Sequence, residues 1–409
     1  MSRVAPIVIV ILAAAACVSP SPSSARAAWR EVECLSAVGS PPEASDQPGF
    51  GRGEWKTDFA RHCVPLSEIV SGGPPPDGIP PLDDPRFIDA SRAERWLRPS
   101  EPVIVVAEGD EARAYPLQIL IWHEITNDTI AGRAIVVTFC PLCNTALVFD
   151  RRVDERALTF GTTGLLRRSD LVMWDRQTQT WWQQATGEAI VGELTAKRLV
   201  RLPSLVLSFE EFRRAHPQGV VLSRDAADEE AQRKTGSGRS YGTNPYAGYD
   251  RADSPPLGGF WKGPLDGRLP PKARVAVATF AGPPVAYPID DLGGAVAIND
   301  DVGGRPVALL YLGGVASPLD KGATAEGADV GQAAIYDRRV AGRTLTLAGG
   351  KGKTFIDRET GSEWTVSGLA LAGPLRGTRL VLVDHEVTFW FIWSVFRPET
   401  EVRRTAAGP

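Results

Sequence analysis

Short apolar runs broken by glycine, proline and aspartate set the pattern of this chain. Val103–Val106, Ala134–Phe139, Thr145–Phe149 and Leu171–Trp174 are four to six residues long and rich in β-formers. Runs of that length predict buried strands rather than helices. Helical signals are brief. One follows Pro116; another follows Ser208, a good N-cap with Glu210 and Glu211 in the first turn. A third, strongly aromatic, covers Phe389 to Phe396, and its residues are expected to pack in a core. The pattern predicts an α+β, β-rich protein, mostly antiparallel, with short helices. The 41 glycines and 33 prolines among 409 residues agree with many turns.

The pattern repeats. Ala114-Tyr115-Pro116 recurs as Ala286-Tyr287-Pro288, Asn127-Asp128 as Asn299-Asp300, and Gly132-Arg133 as Gly304-Arg305, all 172 positions later. Asp150-Arg151-Arg152-Val153 recurs as Asp337-Arg338-Arg339-Val340, 187 positions on, which places a 15-residue insertion after Ser317. Asp175 then matches Asp357, Trp182 matches Trp364, and Pro217 matches Pro398. Conserved order over such large units predicts two diverged copies of one β unit, not a solenoid of short repeats. The first unit is expected at 77–223 and the second, degenerate one at 272–400. Between them lies a breaker-rich linker, 224–271. An irregular arm, 28–76, precedes the first unit, and 401–409 is a tail.

Residues 1–27 read as a signal peptide: Arg3, an apolar run from Val4 to Val18, then Ala25-Arg26-Ala27 as a small-x-small cleavage site. Lipid attachment at Cys17 is the less favoured alternative, because Ala14 stands where a lipoprotein signal usually has leucine. The expectation is an exported protein, periplasmic or extracellular, with no transmembrane span in the mature chain. A net charge of −4 with no basic cluster gives no footprint for nucleic acid.

Export leaves Cys34, Cys63, Cys140 and Cys143. Cys34 and Cys63 suit a structural disulfide in the arm. His62 beside Cys63 shows no metal-ligand spacing. The chemistry concentrates in Thr138-Phe139-Cys140-Pro141-Leu142-Cys143-Asn144-Thr145. Two cysteines three apart can cycle between dithiol and disulfide, or hold a soft metal between thiolates. No second pair stands at zinc spacing. His123 can tune a thiolate or complete a copper or zinc site. Asn144 orients the second cysteine or makes the turn. Shifted by 172, Cys140, Cys143 and His123 fall on Leu312, Val315 and Ala295. The site is therefore private to the first unit. Arg167-Arg168-Ser169-Asp170 is read as a solvated charged turn, with an anion cradle as the alternative. Trp181-Trp182-Gln183-Gln184 can stack on a ligand, but the match of Trp182 to Trp364 favours core packing.

These motifs resemble a bacterial and archaeal family, domain-of-unknown-function family 3179. The resemblance runs through Asp77-Gly78-Ile79-Pro80, Ala114-Tyr115-Pro116-Leu117, Trp122-His123-Glu124, the Cys-Pro-Leu-Cys-Asn segment and Ser169-Asp170-Leu171-Val172, and later Thr243-Asn244-Pro245-Tyr246. It implies that Cys140, Cys143 and His123 form one constellation and supplies no activity. Three readings follow. The first is a thiol site for disulfide or electron exchange with a thiol-redox partner protein, using Cys140, Cys143, His123 and Asn144. The second is binding of copper or another soft metal through Cys140, Cys143 and His123. The third is a non-enzymatic ligand-binding or interaction protein with a structural disulfide. A thioredoxin site is disfavoured, because Thr145 to Phe149 reads as a strand where a helix should open. No nucleophile-elbow, phosphate-loop or zinc-protease motif is present.

Overall fold

The computed structural model describes residues 55–280 and 282–404. The expected signal peptide, Cys17, Cys34 and the end of the tail lie outside them. Strands dominate and helices are short, as the pattern predicts. The four apolar runs lie within the strands Pro102–Glu108, Arg133–Cys140, Thr145–Asp150 and Asp170–Asp175. Ser208 caps the helix Phe209–Ala215 by accepting from Glu211 N at 3.1 Å. No helix among the described residues is long and apolar enough to cross a membrane.

Among the described residues, the first half builds three sheets of four or five strands, besides the two-stranded pair Arg152–Val153 and Arg156–Ala157. One orders Leu205–Ser208, Pro102–Glu108, Glu111–Pro116, Val220–Leu222 and Phe87–Asp89, with a parallel pairing between Glu111–Pro116 and Val220–Leu222. A second orders Val200–Leu202, Thr145–Asp150, Arg133–Cys140 and Ile125–Ile130. The third orders Ile69–Ser71, Phe160–Arg167, Asp170–Asp175, Trp181–Gln183 and Glu188–Val191. The arm is thus not wholly irregular, since Ile69–Ser71 extends this third sheet.

The same strand orders return in the second half. His385–Phe389, Arg274–Ala278, Val285–Pro288 and Glu401–Val402 form one sheet, whose last pairing is parallel. Val381–Leu382, Gln332–Asp337, Arg305–Leu312 and Ala295–Val302 form another, and Leu347–Gly349 to Ala370–Ala372 a third. Matching hydrogen bonds sit at matching places. Tyr115 Oη donates to Asp128 at 2.5 Å and Tyr287 Oη to Asp300 at 2.6 Å. The indole of Trp182 donates to Asp175 at 3.0 Å, and that of Trp364 to Asp357 at 2.9 Å. All four rings are buried, so these carboxylates and hydroxyls satisfy polar atoms that water cannot reach.

Two features depart from expectation. Only the first half has a helix after its Tyr-Pro strand, Leu117–His123. Its counterpart, Ile289-Asp290-Asp291-Leu292-Gly293-Gly294, lacks the apolar run and ends in two glycines, which disfavour helix. Nor is the stretch 224–271 a bare linker. Its first part is the helix Arg224–Thr235, capped by Ser223 and closed by Gly236 at φ 74°. The remainder folds back over the first half, where Trp122 Nε1 donates to Thr243 O at 3.2 Å.

Candidate functional site

The Cys-Pro-Leu-Cys segment is the loop of a β-hairpin. Arg133–Cys140 runs up to it, Thr145–Asp150 returns, and Cys140 lies opposite Thr145. Cys143 N donates to Cys140 O at 3.2 Å and Asn144 N to Pro141 O at 3.3 Å. Asn144 has φ 52°, a left-handed conformation that asparagine accepts more readily than most residues. It makes the turn; no hydrogen bond ties its side chain to either sulfur. A strand follows the second cysteine, so the thioredoxin arrangement is absent.

Both cysteines are free thiols, 1% and 0% exposed, with Sγ atoms 3.2 Å apart. The third member of the cluster is Asp170. Its Oδ1 accepts from Cys143 Sγ at 3.3 Å, and Cys143 Sγ also lies 3.3 Å from Ser169 O. Asp170 Oδ2 accepts from Gln183 Nε2 at 2.5 Å and from Ala185 N at 2.9 Å. One ligand atom from each of Cys140, Cys143 and Asp170 lies within 4.8 Å of the others. Asp170 opens the strand beyond a tight hairpin turn in which Arg168 and Ser169 take φ 54° and 66°. Ser169 and Asp170 are fully buried, and Arg167 is nearly so. The expectation of a solvated turn is therefore wrong. The hairpin packs inward, and Glu68 meets Arg167 Nη2 at 2.8 Å and Arg168 Nη2 at 2.6 Å.

His123 does not join this cluster, which corrects its expected roles as a metal ligand and thiolate partner. It ends the helix Leu117–His123, is fully buried, and has both ring nitrogens occupied. Nδ1 stands 2.6 Å from Pro80 O, which can only accept, so Nδ1 carries the proton. Nε2 accepts from Tyr241 Oη at 2.6 Å. Burial lowers its pKa to about 4, so the ring is neutral. His123 ties the first half to the segment after the helix Arg224–Thr235. The neighbouring Glu124 is the group that faces the site electrostatically. It sits at φ 58°, its carbonyl accepts from Phe139 N at 2.8 Å, and its side chain is buried.

Charge in this pocket is all of one kind. Burial raises the Cys140 thiol, and raises Cys143 well above the ordinary thiol value. Asp170 is pushed up to about 6 by burial, against the pull of the Ala185 and Gln183 donors. Glu124 is pushed up to about 8, by burial first and then by Asp170. The groups acting most strongly on these four are one another and neutral donors.

The connecting stretch and the second half together roof the site, which the second half does not duplicate. Thr388 Oγ1 and Phe389 N both donate to Cys143 O at 3.2 Å. Tyr249 Oη donates to Leu142 O at 2.9 Å. Lys272 Nζ lies 3.5 Å over the Tyr249 ring and donates to Tyr249 O at 2.6 Å.

Comparison with known proteins decides the family at this point. The chain matches DUF3179, described as a protein of unknown function, over residues 76–400. The chain belongs to the DUF3179 family. No curated protein and no solved structure matches it. Elsewhere in this DUF3179 protein, Cys63 is disulfide-bonded, and its expected partner Cys34 lies outside the described residues. His62 Nδ1 donates to Val64 O at 2.9 Å. Trp181 and Trp182 are core residues, as expected, and Gln183 positions Asp170 rather than a ligand.

Proposed function

We propose that this DUF3179 protein is an exported metal-binding protein that holds copper(I) between Cys140, Cys143 and Asp170. The observation that carries the reading is the convergence of two thiols and a carboxylate in one buried pocket with no cationic side chain hydrogen-bonded to them. Uncompensated acidic groups are costly to bury, and a bound cation removes that cost by stabilising their ionised forms. Thiolate ligands select soft ions, and three donors suit copper(I) better than zinc, which asks for four. Metal–sulfur bonds of about 2.3 Å place two thiolate sulfurs roughly 3.8 Å apart at a tetrahedral angle. The observed 3.2 Å separation needs only a small opening.

Location and ancestry belong to the same reading. The N-terminal signal pattern supports export, and the bonded Cys63 suits an oxidising compartment. Two adjacent thiols persist in such a compartment when a metal or burial shields them. The recurring sheet orders and paired hydrogen bonds support descent of the halves from one duplicated unit, in which the second kept the architecture and supplies part of the roof.

A second reading draws on one contact. Asp170, poised near pH 6, can accept the proton of Cys143 as the pair is oxidised to a disulfide. That step releases two protons and passes two electrons to an oxidant. The oxidant must be small, such as hydrogen peroxide, which takes the two electrons and two protons and leaves as water, because a partner protein's disulfide cannot reach sulfurs that are at most 1% exposed. The deciding experiment uses the mature protein, purified anaerobically and titrated with copper(I) against a colorimetric chelator, beside Cys143→Ser. One equivalent bound by the wild type and none by the variant supports the metal reading. No uptake by a wild type with two titratable thiols defeats it. A reversible two-electron couple near cellular thiol potentials would then favour redox exchange.

A further inference from the structure

A cleft of about 610 Å³ opens between the halves. Leu147 and Phe149 line it from the first half, and Phe280, Leu382 and Trp393 from the second. Its volume falls within the range of small-molecule sites, and a boundary between units is where such sites gather. Four arginines also line it. Three have carboxylate partners: Arg198 pairs with Glu188, Arg201 with Glu386 at 2.7 Å, and Arg305 with Asp337 at 2.9 Å. Arg397 has none among the described residues. Among the described residues, its guanidinium's only hydrogen bond runs from Nη1 to the carbonyl of its own neighbour, Phe396, at 2.7 Å. This half-buried guanidinium follows the helix Trp390–Phe396; Arg198 repels it, and Glu188, Glu386 and Glu399 attract it without forming an ion pair with it.

We propose that this cleft binds a small monocarboxylate with an apolar or aromatic body, and that Arg397 is its counter-ion. A carboxylate matches one guanidinium with two parallel hydrogen bonds, and the apolar walls accept the rest of the molecule. A multiply charged phosphate would need more than the single cation left unpaired here. The cleft is distinct from the thiol pocket, although Ala185 lines it while its N–H holds Asp170.

Calorimetric titration of the full mature protein with phenylacetate tests this. Saturable binding is expected for phenylacetate and not for its neutral amide, and Arg397→Ala should weaken it by about tenfold or more. Arg305→Ala, which removes an already paired cation, should leave affinity within about threefold. The comparison of acid and amide on the wild type stands even if the Arg397 variant folds poorly. The proposal is overturned if phenylacetate fails to bind at about 10 mM, if the amide binds equally well, if a folded Arg397→Ala binds as the wild type does, or if inorganic phosphate binds more tightly.

Discussion

The sulfur of Cys143 lies 3.3 Å from Oδ1 of Asp170, whose other oxygen is fixed by Gln183 and Ala185. The hairpin Phe160–Asp175 thereby delivers an oxygen ligand to a sulfur pair held by a different hairpin in a different sheet. Asp170→Asn keeps the shape and an acceptor for both of those donors but loses the charge. Copper(I) affinity should fall by at least about tenfold while the unfolding midpoint in urea changes little. Unchanged affinity would remove Asp170 from the ligand set.

Glu124 gives the metal-free protein a definite pH dependence. Its pKa rises from 4.5 in the unfolded chain to about 8 in the folded one, under burial and the repulsion of Asp170. Cys140 and Tyr246 also face it. The folded state therefore holds a proton that the unfolded state releases. Stability from this group is complete below pH 4.5 and is lost as pH rises through about 8. Against Glu124→Gln, the chelator-treated wild type should lose roughly 3–5 kcal/mol between pH 4.5 and 8. Parallel urea-stability curves for the two proteins over that span would contradict the assignment.

His123 should prove structural. Removing its ring strands Pro80 O and Tyr241 Oη in a dry interior. His123→Ala should cost about 2–4 kcal/mol in urea unfolding and leave copper stoichiometry unchanged. Loss of copper binding from a variant shown to be folded would restore His123 to the site.

The contrast between His123 and its neighbour Glu124 shows what the sequence could reveal. Strands, the short capped helices and the recurrence of Tyr-Pro, Asn-Asp and Asp-to-Trp pairs were legible because periodicity and spacing encode them locally. The two cysteines were legible because three-residue spacing brings sulfurs together whatever the surroundings. Asp170 was not, because its meeting with Cys143 depends on how one hairpin packs on another, and Arg-Arg-Ser-Asp has the composition of an exposed turn. Glu124 was passed over for a rarer residue beside it. A signal was available: Ser-Asp-Leu-Val lies within the resemblance to the family, yet a solvated turn has little reason to be kept. Nor did the pattern disclose that Thr388, Phe389 and Tyr249 close over the cysteines, since those contacts span more than 100 positions of chain.

Tyr249 is the most accessible handle on that closure. Its hydroxyl holds Leu142 O, its ring lies 6.4 Å from that of Phe389, and Lys272 sits over its face. With the roof in place, the thiols should react with a bulky disulfide reagent only as fast as the protein opens. Tyr249→Phe removes one hydrogen bond, worth about 1 kcal/mol, and keeps the cover, so its labelling should stay slow. Tyr249→Ala removes the cover as well. The apo protein's two thiols should then be labelled at least about tenfold faster under native conditions. Unfolding in urea must be followed alongside, because a general loss of stability would speed labelling of any buried thiol. If labelling accelerates only in proportion to that loss, Tyr249 stabilises the fold without guarding the site.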